Sequence, residues 1–106
     1  MGKLIALKGD VSRSEQVRLR CGRVFMEPDI ESVFDDSFVY DSLLRHGSGH
    51  WGWIDELTRL QNQLALLTGE GRIVSLHRDA ENRELRVATF LDFSVTVVMR
   101  KRVSQN

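Results

Sequence analysis

Residues 43–69 read LLRHGSGHWGWIDELTRLQNQLALLTG, and the rest of the chain is organised around them. The run joins a glycine-rich loop, Gly47-Ser48-Gly49-His50-Trp51-Gly52, directly to a long amphipathic segment. Three glycines in six residues imply backbone angles or close approaches that a side chain forbids. Beyond the loop, Trp53, Ile54, Leu57, Leu60, Leu64 and Leu67 recur at helical spacing, which predicts one apolar stripe turned to a core. Asp55, Glu56, Arg59, Asn62 and Gln63 fall mostly off that stripe. Asp55 and Glu56 suit the positive end of a helix dipole, and Gly69 stops the helix.

Downstream the period changes to two. Residues 72–78, 84–91 and 94–100 read as strands, separated by Asp79-Ala80-Glu81-Asn82 and by Asp92-Phe93. Connections this short make antiparallel neighbours. Val74, Leu76, Leu85, Val87, Val95, Val97 and Met99 are predicted to line the face that meets the helices. Arg78, Arg83, Arg86 and Arg100 then decorate the edges and the far side.

Upstream, Pro28 suits the first turn of a short helix whose apolar face is Ile30, Val33 and Phe34. Phe38, Val39, Leu43 and Leu44 predict a second helix over 37–46, ended by Gly47. Residues 3–7 and 16–20 read as a hairpin, after which Arg23-Val24-Phe25-Met26 resumes extended chain. A helix over 14–21, capped by Ser12 or Ser14, is the alternative. The expectation is a single α+β domain over 1–106. Its helices pack on one face of a small antiparallel sheet, a C-terminal three-stranded meander plus N-terminal strands.

The chain has 106 residues, 42% apolar and 28% charged, in the range of folded globular domains. A lone cysteine, Cys21, allows no internal disulfide and suits a reducing compartment. The start, MGKLIALKGD, carries too short an apolar run for a signal peptide or membrane span, so the cytoplasm is expected. Fifteen basic and fifteen acidic residues leave no global field toward nucleic acid or membrane. The balance is segregated, however. Glu27, Asp29, Glu31, Asp35, Asp36 and Asp41 lie in a stretch without a basic residue. Arg18, Arg20 and Arg23 precede it, and Arg100, Lys101 and Arg102 close the chain.

A resemblance enters through Gly22-Arg23-Val24, Arg45-His46, Gly49, Trp51-Gly52, Glu56, Asn62 and Leu66, and then Ser75, Thr89, Asp92, Ser94 and Thr96. The RHxxGxWG run, with an asparagine later on the same helix, resembles a family of small plasmid-related proteins of bacterial mobile elements. The match covers about residues 22–99. This chain departs from the family's charged tendency at His50, Leu57, Thr58, Phe90 and Phe93. The resemblance implies a mobile-element origin and a shared fold, and it implies no reaction.

Four sets of residues invite chemistry. His46 and His50, with Cys21 or His77, have zinc-ligand side chains, but glycines separate the pair and no CxxC or HExxH accompanies it. Loop histidines satisfied by backbone are the better reading, and neither metal nor cofactor is expected. Cys21 beside Arg20 and Arg23 has the setting of an activated thiol, against the commoner role of a small buried hydrophobe. Asp55, Glu56 and Asn62 read as dipole compensation plus a loop-binding asparagine. Of the tryptophans, Trp53 is expected in the core, and Trp51 is left open.

The functional expectation is a non-enzymatic protein that binds a host protein, as an inhibitor of a defence nuclease complex of anti-CRISPR or anti-restriction type. The acidic segment 27–42 meets a basic, nucleic-acid-binding partner surface, and the loop from His46 to Trp53, with His46, His50 and Trp51, supplies shape. Binding of nucleic acid through Arg18, Arg20, Arg23, Arg100, Lys101 and Arg102 is the alternative, and a metal-dependent hydrolase using His46 and His50 the third. No small-molecule or membrane partner is expected.

Overall fold

The computed structural model describes residues 3–6 and 20–100. In chain order the elements are β1 (Lys3–Ala6), β2 (Arg23–Met26), α1 (Ile30–Val33), α2 (Asp36–Gly47), α3 (Glu56–Thr68), β3 (Arg72–Arg78), β4 (Glu84–Phe90) and β5 (Val95–Arg100). The fold is α+β. Its strands form one sheet in the order β1-β2-β5-β4-β3.

The meander β3–β4–β5 is antiparallel throughout. The sheet as a whole is mixed, because β2 lies parallel to β5. Parallel pairing needs a long crossover, and the segment carrying all three helices and two strands supplies it. β1 pairs antiparallel with β2. The predicted strand over 16–20, its helical alternative, Arg18, Lys101 and Arg102 lie outside the described residues.

Gly22 sets the start of β2. Its φ is +66°, and a Cβ there would overlap the Ser94 carbonyl oxygen, so only glycine admits the approach. That approach lets the Arg23 N–H donate to the Ser94 carbonyl at 3.1 Å. Gly69 ends α3 in the left-handed region, with its N–H bonded to Ala65 O at 2.8 Å.

Helices α1 and α2 cover one face of the sheet. Ile30, Phe34, Val39 and Leu43 pack there with Cys21, Val24, Met26, Leu85, Val87 and Val98. Register puts Ile73, Ser75 and His77 of β3, and Thr96 of β5, on this same face. The expected apolar face is therefore right at two of its seven positions. Leu85 and Val87 do meet the helices, but Val74, Leu76, Val95, Val97 and Met99 point the other way. The phase was misread because the buried face alternates in polar residues on β3 and β5.

The second correction concerns α3. Its predicted core stripe stands in solvent: Leu57 is 63% exposed, Leu60 53%, Leu64 60% and Leu67 83%. What α3 buries is Asn62 and Ala65, with Thr58 and Leu66 half-buried. The helix packs along the outer edge of β3, whose backbone presents N–H and C=O groups. A short polar amide and an alanine fit that edge, and leucines do not.

Candidate functional site

The loop, the start of α3 and β3 form one clamp. The Leu76 N–H donates to Trp51 O at 3.0 Å, and the Trp53 N–H donates to Leu76 O at 2.9 Å. The loop thus adds a parallel bridge to the sheet edge at Gly52. Gly52 has φ +72°, and a Cβ would overlap the Leu76 carbonyl oxygen, so this contact demands glycine. Two residues along the same edge, Asn62 replaces a missing strand. Its Nδ2 donates to Val74 O at 2.8 Å and its Oδ1 accepts from the Val74 N–H at 2.9 Å. One amide side chain so reproduces both bonds of a strand neighbour.

Beneath the clamp runs a buried hydrogen-bonded chain. His46 Nδ1 lies 2.7 Å from Ser75 Oγ, and His46 Nε2 lies 2.8 Å from Thr89 Oγ1. Thr89 Oγ1 is 2.6 Å from Thr96 Oγ1, which donates to Cys21 O at 2.7 Å. At the other end His77 Nε2 is 2.9 Å from Ser75 Oγ. The final carbonyl orients the chain as far as His46 Nε2, and a neutral His46 orients the rest. Thr96 gives its proton to Cys21 O, so Thr89 donates to Thr96. His46 Nε2 must then carry hydrogen and donate to Thr89. His46 Nδ1 accepts from Ser75, and Ser75 accepts from a protonated His77 Nε2.

His46 is fully buried and neutral. Burial pushes its pKa down to about 3, with the charge of His77 adding to the effect. Burial likewise lowers His77 to about 4, helped by Arg45 and opposed by Asp41. A cationic His46 would donate from both ring nitrogens, so the Ser75 hydroxyl would have to turn its proton to His77 Nε2 in the other tautomer.

These facts decide the candidate chemistry. Both ring nitrogens of His46 are engaged inside the fold, whereas His50 is exposed and bonds through its backbone N–H to Arg45 O at 2.9 Å. The two histidines do not converge, and among the described residues no cluster of three metal-ligating side chains occurs. Cys21 is buried, and desolvation raises its pKa despite the Thr96 hydrogen bond. That is the setting of an unreactive thiol. Asp55 caps α3, accepting from the Thr58 N–H at 2.8 Å. That bond holds its carboxyl below the usual range.

Trp53, expected in the core, is exposed, and Trp51, whose place the sequence left open, is the buried one. Trp51 is 6% exposed and packs with Ala65 and Ile73, its Nε1 buried without a partner. Trp53 is 61% exposed, with the Arg78 guanidinium 4.2 Å from its ring centroid. Of the loop set, then, only His50 offers its side chain to a partner; His46 and Trp51 are interior.

The acidic set is dispersed. Asp41 pairs with Arg45 at 3.1 Å, and Asp29 lies 3.9 Å from Arg100. Glu27 accepts from the Arg100 N–H. Asp35, Asp36 and Glu31 face solvent. In the basic set, Arg20 is exposed and Arg23 sits over the Phe25 ring at 5.9 Å. Arg100 is engaged with the acidic segment, so the set forms no shared stripe among the described residues.

Sequence reasoning missed two features. Ser75, His77, Thr89 and Thr96 share one face of three adjacent strands, a coincidence visible only once register is known. The exposed leucine row was legible as a row but assigned to the wrong side. Comparison of the chain with protein-family models, curated proteins and solved structures returns no match. His46, Ser75, Thr89 and Thr96 thus lie in the network, Trp51, Gly52 and Asn62 in the clamp, and Gly22 and Ser94 at the start of β2. No helix among the described residues is long and apolar enough to cross a membrane.

Proposed function

We propose that the chain is a non-catalytic contact protein of a mobile element that occupies the surface of a host protein, with a defence nuclease complex as the target class. The observation that carries this reading is the outer face of α3. Leu57, Leu60, Leu64 and Leu67 stand in solvent on a helix anchored to the sheet edge, and Trp53 is exposed just before it. Exposed apolar surface of this extent marks contact sites on folded proteins. The groups with chemical potential serve the interior instead: His46, Ser75, Thr89 and Thr96 bond one another, and Cys21 is shielded. Asp35 and Asp36 add exposed negative charge suited to a basic partner surface.

The test is transformation by a susceptible plasmid into cells with an active restriction or CRISPR nuclease, with and without the chain. The chain is expected to raise the yield at least about tenfold. Leu60→Asp/Leu64→Asp and Asp35→Lys/Asp36→Lys variants should each reduce that gain. No gain with the wild-type chain against either nuclease class overturns the host-defence reading.

A further inference from the structure

We propose that the cleft between α2 and the C-terminal end of β3 binds a phosphate group that still carries a proton, held by His77, Arg45 and Arg78. This site is independent of the host-contact reading, which rests on the outer face of α3.

The cleft has a volume of about 240 Å³. That is below the roughly 300–1,000 Å³ of pockets that enclose drug-sized ligands, and it suits a small polar group. Asp41 and Arg45, one turn apart on α2, line one side, and Trp53, His77 and Arg78 line the other.

His77 carries the inference. It is 5% exposed, and its one hydrogen bond among the described residues joins Nε2 to Ser75 Oγ at 2.9 Å. Since Nε2 holds the hydrogen, Nδ1 presents a bare lone pair without a partner. Nδ1 lies against Gly52, where a Cβ would stand 3.3 Å from it. The glycine therefore leaves this nitrogen open to the cleft. A nearly buried imidazole with one unmatched nitrogen fits a ligand that donates to it.

The charges decide what else that ligand carries. Asp79 is satisfied within its own turn, by Arg83 Nε at 2.8 Å and by the N–H groups of Glu81 and Arg83. Asp41 Oδ2 lies 3.1 Å from Arg45 Nε, and Arg78 binds Glu84 through Nε at 2.8 Å. Each arginine thus uses Nε inside the fold and keeps its Nη amino groups for a further acceptor. Arg78 is also held over the Trp53 ring. The matching ligand donates one hydrogen and accepts from two guanidinium groups. A protonated phosphate does both, and paired guanidinium donors suit its oxygens. Whether the shared proton sits on phosphate oxygen or on Nδ1, the complex holds the same number.

This proton separates phosphate from sulfate. A phosphate monoester keeps a proton of its own below a second pKa of about 6. Sulfate has none, so His77 must supply it. Burial lowers His77 to about 4, with Arg45 adding to the effect and Asp41 opposing it, while His46 beyond Ser75 stays neutral. At about pH 6, two units higher, charging His77 for sulfate costs about a hundredfold in affinity.

The test follows the histidine imidazole ¹⁵N resonances of the full chain at about pH 6 during titration with inorganic phosphate, phenyl phosphate or sulfate at fixed ionic strength. His77 Nδ1 is expected to shift saturably with phosphate, at half-saturation near 1 mM, and sulfate should need at least about tenfold more. A tighter response to phenyl phosphate assigns the cleft to a monoester, and an equal or weaker one to the free ion. Arg45→Gln and Arg78→Gln should each weaken binding about tenfold. Asp41→Asn should tighten it, whereas a site for a cation would lose affinity. His77→Phe should abolish the preference over sulfate; if it does not fold, Arg45→Gln on the exposed side of α2 still decides the matter. No His77 shift up to about 20 mM phosphate overturns the proposal. Equal responses to phosphate and sulfate mean an adventitious ion only and overturn it too.

Discussion

Replacing Asn62 with alanine removes the strand mimic and leaves the Val74 N–H and C=O without partners at a buried edge. Asn62 is 1% exposed, so both of its bonds to Val74 are made out of contact with bulk water. Each orphaned backbone group costs about 1–3 kcal/mol, and two cost roughly 2–5 kcal/mol with partial relaxation. That is a large share of the roughly 5–15 kcal/mol that holds a domain together. With a urea slope near 1.5 kcal/mol/M, the unfolding midpoint should fall by about 1.5–3 M. Urea titration followed by circular dichroism reads this directly, and hydrogen exchange at the Val74 amide should accelerate in parallel. Asn62→Asp separates the two bonds. It retains an acceptor for the Val74 N–H but sets a carboxylate against the Val74 carbonyl, so at pH 7 it should be no more stable than the alanine variant. A loss below about 1 kcal/mol for Asn62→Ala, at unchanged slope, would refute the clamp as a source of stability.

Stability should fall with acid well before the carboxylates titrate. His46 and His77 are held neutral in the fold, at about 3 and about 4, and take protons near 6.5 when unfolded. The unfolded state therefore binds more protons between those limits. The contribution is complete above about pH 6.5 and is lost as pH falls toward 4. At pH 5 each histidine should remove about 2 kcal/mol relative to pH 7.5, measured by urea melts at the two values. Gly52→Ala should cost at least about 2 kcal/mol, because its left-handed backbone and the Leu76 carbonyl both exclude a Cβ; a melt within about 0.5 kcal/mol of wild type would contradict the loop bridge. Trp53→Phe should leave a protein whose emission is blue-shifted by buried Trp51, and Trp51→Phe one whose emission is that of a solvated indole. Trp53→Ala should cost under about 1 kcal/mol, most of it the Arg78 contact.

Much of the architecture was legible in residue order. Pro28 stands two residues before the start of α1, Gly47 and Gly69 mark the ends of α2 and α3, and Asp55 caps α3 as its type and place imply. The change from a period of 3.6 to a period of two at Gly69-Glu70-Gly71 marks where the meander begins, and two short connections make it antiparallel. These are local properties, set by backbone angles and hydrogen-bonding needs within a few residues.

What local pattern did not decide was which side of each element faces inward. Periodicity identifies a stripe of leucines but is silent on whether that stripe meets a sheet or water. It assumes that apolar means buried, and here the assumption fails twice. Ser75, Thr89 and Thr96 are buried because register stacks them beside His46, where each hydroxyl finds a partner; without those partners burial would be costly. Leu57, Leu60, Leu64 and Leu67 are exposed because α3 meets a backbone edge that accepts the amide of Asn62 and leaves no room for leucines. Element identity follows from neighbours in the chain, while facing follows from neighbours in space, which only the tertiary structure brings together.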